Sequence, residues 1–256
     1  MKVLIVFGSK SDSPVYSEIT SGLDESGIDY ELRALSAHRA PEELHERLAK
    51  DDFDVVVAGA GLAAHLPGVA ASQTVKPVIG VPCSGAFDGL DAFLSIVQMP
   101  PGIPVLCSPV DDGQEVARLL GLASKGLKKI NIVGSKDGKA FLKAAETLER
   151  LDIDFETEKS TRPGAVNIVF ASIEESPEPD DNFVIYCPLL AESTAEDAIP
   201  FMSAAASGLW VGVNRGENAA LAAAALLGKF EPVREYRAQQ RKKVVDADAE
   251  LQGKNK

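Results

Sequence analysis

Residues Ile130-Asn131-Ile132-Val133-Gly134-Ser135-Lys136 restate Leu4-Ile5-Val6-Phe7-Gly8-Ser9-Lys10 at an offset of 126. The restatement continues in order. Leu151-Asp152-Ile153-Asp154-Phe155-Glu156 follows Ser26-Gly27-Ile28-Asp29-Tyr30-Glu31, and Arg162 matches Arg39 at an offset of 123. Val184-Ile185-Tyr186-Cys187-Pro188 follows Val78-Ile79-Gly80-Val81-Pro82 at 106, and Met202 and Gly216 follow Met99 and Gly113 at 103. An ordered series of matches implies a tandem duplication, so the chain must build two like units. Its expected parts are a first copy over residues 1–124, a basic glycine-bearing link over 125–129, and a second copy with a helical tail over 130–256. The falling offset means the second copy has lost 23 residues net, most of them expected between its third and fourth strands.

Each unit alternates short apolar runs with helical patterns. Residues 2–7 read as a fully buried strand broken by Gly8. Pro14 suits the first turn of a helix, Val15, Ile19 and Leu23 share one helical face, and Gly27 can end it. Residues 30–35 read as a second strand. Pro41 opens a helix with Glu42 and Glu43 in its first turn, where the helix dipole favours them. Residues 54–58, 78–81 and 104–107 read as further strands, and 90–97 as a helix, with another running through Ala123. Strands alternating with helices imply an α/β fold, a parallel sheet in a three-layer α/β/α sandwich of flavodoxin-like type, tandemly duplicated. Right-handed crossovers put the strand-to-helix loops on one edge, where such folds bind ligands.

Composition excludes several classes. Of 256 residues, 45% are apolar and 25% charged, which suits a globular chain. The net charge of −12 argues against nucleic acid and anionic membrane partners. The tail from Lys229 is an exception, with eight Lys/Arg and five Asp/Glu. No apolar run approaches the ~18 residues that span a bilayer, and the opening run is too short for a signal-peptide core. The expected location is cytoplasmic. Cys83, Cys107 and Cys187 are scattered, which points to buried thiols rather than a disulfide framework or zinc site.

Three loops of the first copy carry chemistry. Gly8-Ser9-Lys10-Ser11-Asp12 places small residues and hydroxyls at a helix N-terminus, where backbone N–H groups can meet an anion. Asp12 either accepts hydrogen bonds from ribose hydroxyls or caps the helix that starts at Pro14. In Ser36-Ala37-His38-Arg39-Ala40-Pro41, an arginine able to clamp phosphate stands beside a histidine able to move protons, or the pair is simply solvated. His45, amid Glu42, Glu43, Glu46 and Arg47, reads as a solvated helix-face residue. The run Ala58-Gly59-Ala60-Gly61-Leu62-Ala63-Ala64-His65-Leu66-Pro67-Gly68 lets backbone close around a planar ligand. It lacks the Lys-Ser/Thr of a P-loop and the glycine spacing of a dinucleotide fingerprint. His65 in it is either a helix-start residue or part of the site. No metal site is expected.

These three loops, with Leu94-Ser95-Ile96-Val97-Gln98-Met99-Pro100, resemble the PurE family in order and spacing. That family comprises phosphoribosylaminoimidazole carboxylases and N5-carboxyaminoimidazole ribonucleotide mutases of purine (IMP) biosynthesis. The resemblance covers residues 1 to about 124, and Val213-Asn214-Arg215-Gly216-Glu217-Asn218-Ala219-Ala220-Leu221 resembles the family's C-terminal region. It implies an enzyme that moves a carboxylate from the exocyclic N5 to ring carbon C4 of a ribonucleotide, without cofactor or metal. Position by position it implies His38 and His65 as catalytic, with His38 the proton shuttle. Ser9 and Asp12 would hold the ribose 5-phosphate portion and Arg39 its phosphate. Ser36, Gly61, Ala63, Ala64 and Leu66 would complete the wall around the imidazole and the carboxylate. Leu62 and Ser13 depart from the family pattern. Arg39, His65 and Gln98-Met99-Pro100 favour the mutase over the carboxylase that uses free CO2.

The second copy lacks this set. Ser135-Lys136-Asp137-Gly138 has no aspartate at the ribose position, Ser160-Thr161-Arg162-Pro163 has no histidine, and the glycine-rich loop is expected in the lost stretch. The resemblance implies an oligomer, here four two-copy chains in place of eight single copies. The alternatives are an AIR carboxylase using free CO2, a related nucleotide carboxylase acting on another ring, and a non-catalytic nucleotide-binding module.

Overall fold

The computed structural model describes residues 1–134 and 138–254. Ser135, Lys136 and Asp137, which the sequence sets against the Ser9 segment, lie outside them. The first half runs β1 (Lys2–Phe7), α1 (Ser13–Glu25), β2 (Asp29–Ala34), α2 (Pro41–Ala49), β3 (Val55–Ala60), α3 (Leu66–Gln73), β4 (Val78–Pro82), α4 (Leu90–Val97), β5 (Leu106–Cys107) and α5 (Gly113–Ser124). The second runs β6 (Lys129–Val133), α6 (Lys139–Arg150), β7 (Phe155–Glu158), β8 (Ala165–Ala171), β9 (Phe183–Pro188), α7 (Ala198–Ala204), β10 (Leu209–Trp210), α8 (Gly216–Leu226) and the long α9 (Phe230–Lys254).

Among the described residues, all ten strands form one sheet, in the order β2-β1-β3-β4-β5-β10-β9-β8-β6-β7. The order reads the same from either end: second, first, third, fourth, fifth. Strands within each half are parallel, and the halves meet where β10 pairs antiparallel with β5 through Trp210 and Cys107. Those two residues lie 103 apart, the offset at which the last strands and their following helices correspond. A local two-fold therefore passes between them. The strands at the two outer edges, β2 and β7, carry charged residues such as Glu31, Arg33, Glu156 and Glu158, which discourages further strand addition.

Central strands are apolar on both faces because helices cover both. Val3, Ile5 and Phe7 of β1 join one core with α1, α5, α6 and α8, while Leu4 and Val6 join the other with α2, α3, α4 and α7. Helix α1 buries its stripe of Val15, Ile19 and Leu23, and Gly27 follows it at φ 64°. Helix α8 is buried on every side, so its alanines suit a close approach to its neighbours. Helix α9 returns to the first half, where Arg237 donates to the carbonyls of Ala71 and Ser72 at 2.8 and 3.1 Å. No helix among the described residues is long and apolar enough to cross a membrane.

The missing residues of the second half are not where the sequence comparison put them. Strand starts are offset by 126 between β2 and β7, 110 between β3 and β8, and 105 between β4 and β9. Most of the loss thus falls between the second and third strands, where α2 has no counterpart. Pro163 and Gly164 make a turn, with Gly164 at φ 68°, and the β-branched run of β8 follows at once. A connection also stands between β8 and β9, at the place the glycine-rich loop holds between β3 and β4. Residues 172–182 stand in its place, acidic and proline-bearing, without a helix.

Candidate active site

The cleft forms where the parallel strands end. Beyond β1, β2, β3 and β4 the chain turns outward, and β1 and β3 carry their connections to opposite sides of the sheet. Ligands of such folds sit at this divergence. The cleft has a volume of about 610 Å³, and every first-copy loop singled out in the sequence reaches it. Ser9, Asp12, Ser36, His38, Arg39, Gly61, Ala63, His65 and Leu66 all line it. Ala64 does not. It is buried beneath the loop, in the core with Leu66 and Ala70.

Close backbone approach explains two glycines. A Cβ on Gly59 would fall 2.1 Å from the Phe7 ring, and one on Gly61 would fall 3.1 Å from the Cys83 carbonyl oxygen. Leu62, at the tip of the same loop, adopts φ 56° with its side chain 63% exposed. A glycine would take that backbone without strain, which gives physical content to the departure noted at this position.

A polar line runs along one wall. The Ser11 N–H donates to the Ser9 Oγ at 3.2 Å, the two serine hydroxyl oxygens stand 2.8 Å apart, and the Ser11 hydroxyl donates to Asp12 Oδ1 at 3.0 Å. Asp12 precedes α1 but makes no side-chain cap, so the capping alternative is not realised. Burial pushes its carboxyl above the ordinary value of 3.8, and the charge of nearby Asp111 adds to the rise. Arg39 donates through Nη2 to the Gly8 carbonyl at 3.1 Å, which sets its guanidinium over the first loop. Five N–H donors leave it capacity for an anion.

His38 Nε2 and His65 Nδ1 stand 2.9 Å apart, with the rings edge-on at 81°. One nitrogen must donate and the other accept, so a single proton lies between the two rings. The two histidines belong to separate loops 27 residues apart in the chain, and the fold brings them into contact. His45 is elsewhere, with its Nδ1 3.0 Å from Gln73 Oε1 on the helix surface.

Ser84 and Gly85, after β4, also line the cleft and were not foreseen. Their only local signal is a small Cys83-Ser84-Gly85 turn following a buried strand. All three cysteines are free and buried. Burial raises the Cys83 thiol to about 12, with the charges of Asp12 and Asp111 adding to it. It is therefore an inert thiol beneath the cleft floor.

A family model described as AIR carboxylase matches residues 2–132. The N5-carboxyaminoimidazole ribonucleotide mutase of Methanocaldococcus jannaschii is 49% identical over 130 residues, covering 51% of this chain and 82% of that protein. The enzyme of the same name from Pyrococcus abyssi is 53% identical over 131 residues, covering 50% and 75%. That of Mycobacterium tuberculosis H37Rv is 42% identical over 156 residues, covering 58% and 89%. The likeness thus takes in most of each relative but little more than half of this chain.

Proposed function

The chain belongs to the AIR carboxylase family, and on that footing we propose that its first half interconverts N5-carboxyaminoimidazole ribonucleotide and 4-carboxy-5-aminoimidazole ribonucleotide in purine biosynthesis. The observation that carries the reading is the His38–His65 contact of 2.9 Å in a cleft that also holds Ser9, Asp12 and Arg39.

In this reading Arg39 and the amides after Gly8 hold the phosphate, and Asp12 accepts hydrogen bonds from ribose hydroxyls. The N5–carboxylate bond breaks, CO2 leaves, and the bonding pair returns to N5, which takes a proton from His38. The wall from Gly61 to Leu66 keeps CO2 against the ring, so recombination is intramolecular in effect and far faster than capture from solution. Carbon C4 supplies the electron pair for the new carbon–carbon bond. His38 then removes the C4 proton, which restores the aromatic ring and its own starting state. His65 orients His38 and shares its proton.

The second half is proposed to be a degenerate copy. Arg162 stands near the place of Arg39 but pairs with Glu158 at 2.8 Å, and an acidic segment replaces the glycine-rich loop. The proposal also carries a cytoplasmic homo-oligomer, a tetramer of two-copy chains.

The test is to incubate purified protein with N5-carboxyaminoimidazole ribonucleotide at limiting and at saturating bicarbonate. Formation of the 4-carboxy product independent of bicarbonate is expected. Product formed only from aminoimidazole ribonucleotide and bicarbonate would make it a carboxylase. Nucleotide binding with no product under either condition would make it a binding module.

A further inference from the structure

The two halves contain the same unusual turn. Asp111 and Asn214 lie 103 residues apart, after β5 and β10, at φ 56° and 57°. Each donates its N–H to the proline that ends its half's fourth strand, Asp111 to the Pro82 carbonyl at 2.9 Å and Asn214 to the Pro188 carbonyl at 2.8 Å. Each side-chain oxygen accepts the N–H two residues beyond that proline. Ser84 N–H reaches Asp111 Oδ1 at 2.8 Å, and Leu190 N–H reaches Asn214 Oδ1 at 3.3 Å. A strained backbone kept in both halves marks a position held for its hydrogen bonds.

In the first half this turn grips a wall of the cleft. Ser84 and Gly85 line it, and Ser84 hangs on Asp111. The far end of the same loop is fixed as well, because a Cβ on Gly89 would fall 2.6 Å from Val110. Between the two anchors Phe87 and Asp88 both take φ 54°, with Phe87 78% exposed. The loop joins the neighbouring wall through the Cys83 N–H, which donates to the Ala60 carbonyl at 3.0 Å.

We propose that Asp111 is a positioning residue of the active site, holding the Ser84–Gly85 wall closed beside the Gly61–Leu66 loop that retains the transferred carboxylate. It acts through the backbone of Ser84 and touches no substrate atom. The role requires an acceptor oxygen at this position rather than a charge; in the equivalent turn the neutral amide of Asn214 supplies that acceptor, and its Nδ2 also donates to the Leu190 carbonyl at 2.6 Å.

The test compares D111G, which suits the positive φ but removes the acceptor, with D111N, which keeps it. Hydrogen exchange reads the contact without substrate, and the Ser84 amide should exchange at least tenfold faster in D111G than in the wild type or D111N. The second readout rests on the mutase reading. It is the partition of N5-carboxyaminoimidazole ribonucleotide between the 4-carboxy product and aminoimidazole ribonucleotide that has lost its CO2. D111G should raise the decarboxylated share several-fold, and D111N should recover most of the coupling. Unchanged Ser84 exchange in folded D111G would overturn the contact. Faster exchange with unchanged partition would overturn the positioning role, and equal defects in D111N and D111G would overturn the acceptor argument. A wild type that exchanges as expected but turns over no nucleotide would defeat the mutase reading and the carboxylate-retaining role resting on it, leaving only the contact.

Discussion

Glu115 and Asn218 are each the third residue of their helix, α5 and α8, and each accepts a hydrogen bond from a glycine N–H in the other half. Gly208 N–H reaches Glu115 Oε1 at 2.8 Å, and Gly102 N–H reaches Asn218 Oδ1 at 2.9 Å. Both glycines have positive φ in the approach to a last strand. Asn218 also donates Nδ2 to the Pro100 carbonyl at 3.0 Å, so one buried amide holds the segment after α4.

Asn218→Ala should therefore destabilise the whole fold. It leaves a buried N–H and a carbonyl without partners, at a cost of about 1–3 kcal/mol. Urea unfolding measures it, and an unchanged midpoint would mean the cross-half bonds contribute nothing.

His38→Asn should cut turnover by roughly 10²–10⁴-fold while nucleotide affinity stays within about tenfold, the usual effect of losing a general acid–base group. His65→Asn should lose less, since it acts on the ring of His38. Single-turnover kinetics with calorimetry separates the two readouts. Wild-type turnover in folded His38→Asn would remove the shuttle from the mechanism.

Arg39 and Arg162 should respond in opposite ways. Arg39→Lys keeps the charge but not the planar two-bond fork, so nucleotide affinity should fall about tenfold or more. Arg162→Ala, at the surface of the second half, should leave both affinity and rate unchanged. A second nucleotide site per chain in the titration would contradict the silence of that half.

Asp12→Asn should raise the melting temperature at pH 7 while weakening nucleotide binding. The Asp12 carboxyl titrates above 3.8 in the fold because burial disfavours its charge. A carboxyl raised by folding leaves stability intact below its unfolded pKa and lowers it as pH climbs through the window up to the folded value. The asparagine removes that loss. Its advantage should shrink as pH falls toward 4, which melting curves at the two pH values would reveal.

The sequence made the first half readable because its elements obey local rules. Val15, Ile19 and Leu23 announce α1, Pro41 announces α2, and the Leu90–Val97 helix falls where its spacing put it. The cleft was readable because glycine, serine and histidine cluster where strands end. Three things were hidden for physical reasons. The pairing of β5 with β10 joins two-residue strands too short to carry a pattern, and Pro104 lacks the N–H a longer strand would need. The Arg162-Pro163 pair resembles Arg39-Ala40-Pro41, yet no helix follows it, because the chain enters β8 directly. Asp111 gave no sign of its role, since an aspartate before a helix ordinarily reads as a cap, and the cap is Asp112, which accepts the Glu115 N–H at 2.8 Å.

The seam at Cys107 and Trp210 has the form of a symmetric homodimer contact, with equivalent residues meeting across a dyad. Two separate chains joined there would have a dissociation constant and would part on dilution. Here residues 125–128 tether the two sides, so the joint closes intramolecularly, at the millimolar effective concentrations that short linkers provide. The first half therefore keeps its neighbour at any protein concentration, and the edge of β5 has a permanently tethered strand to pair with.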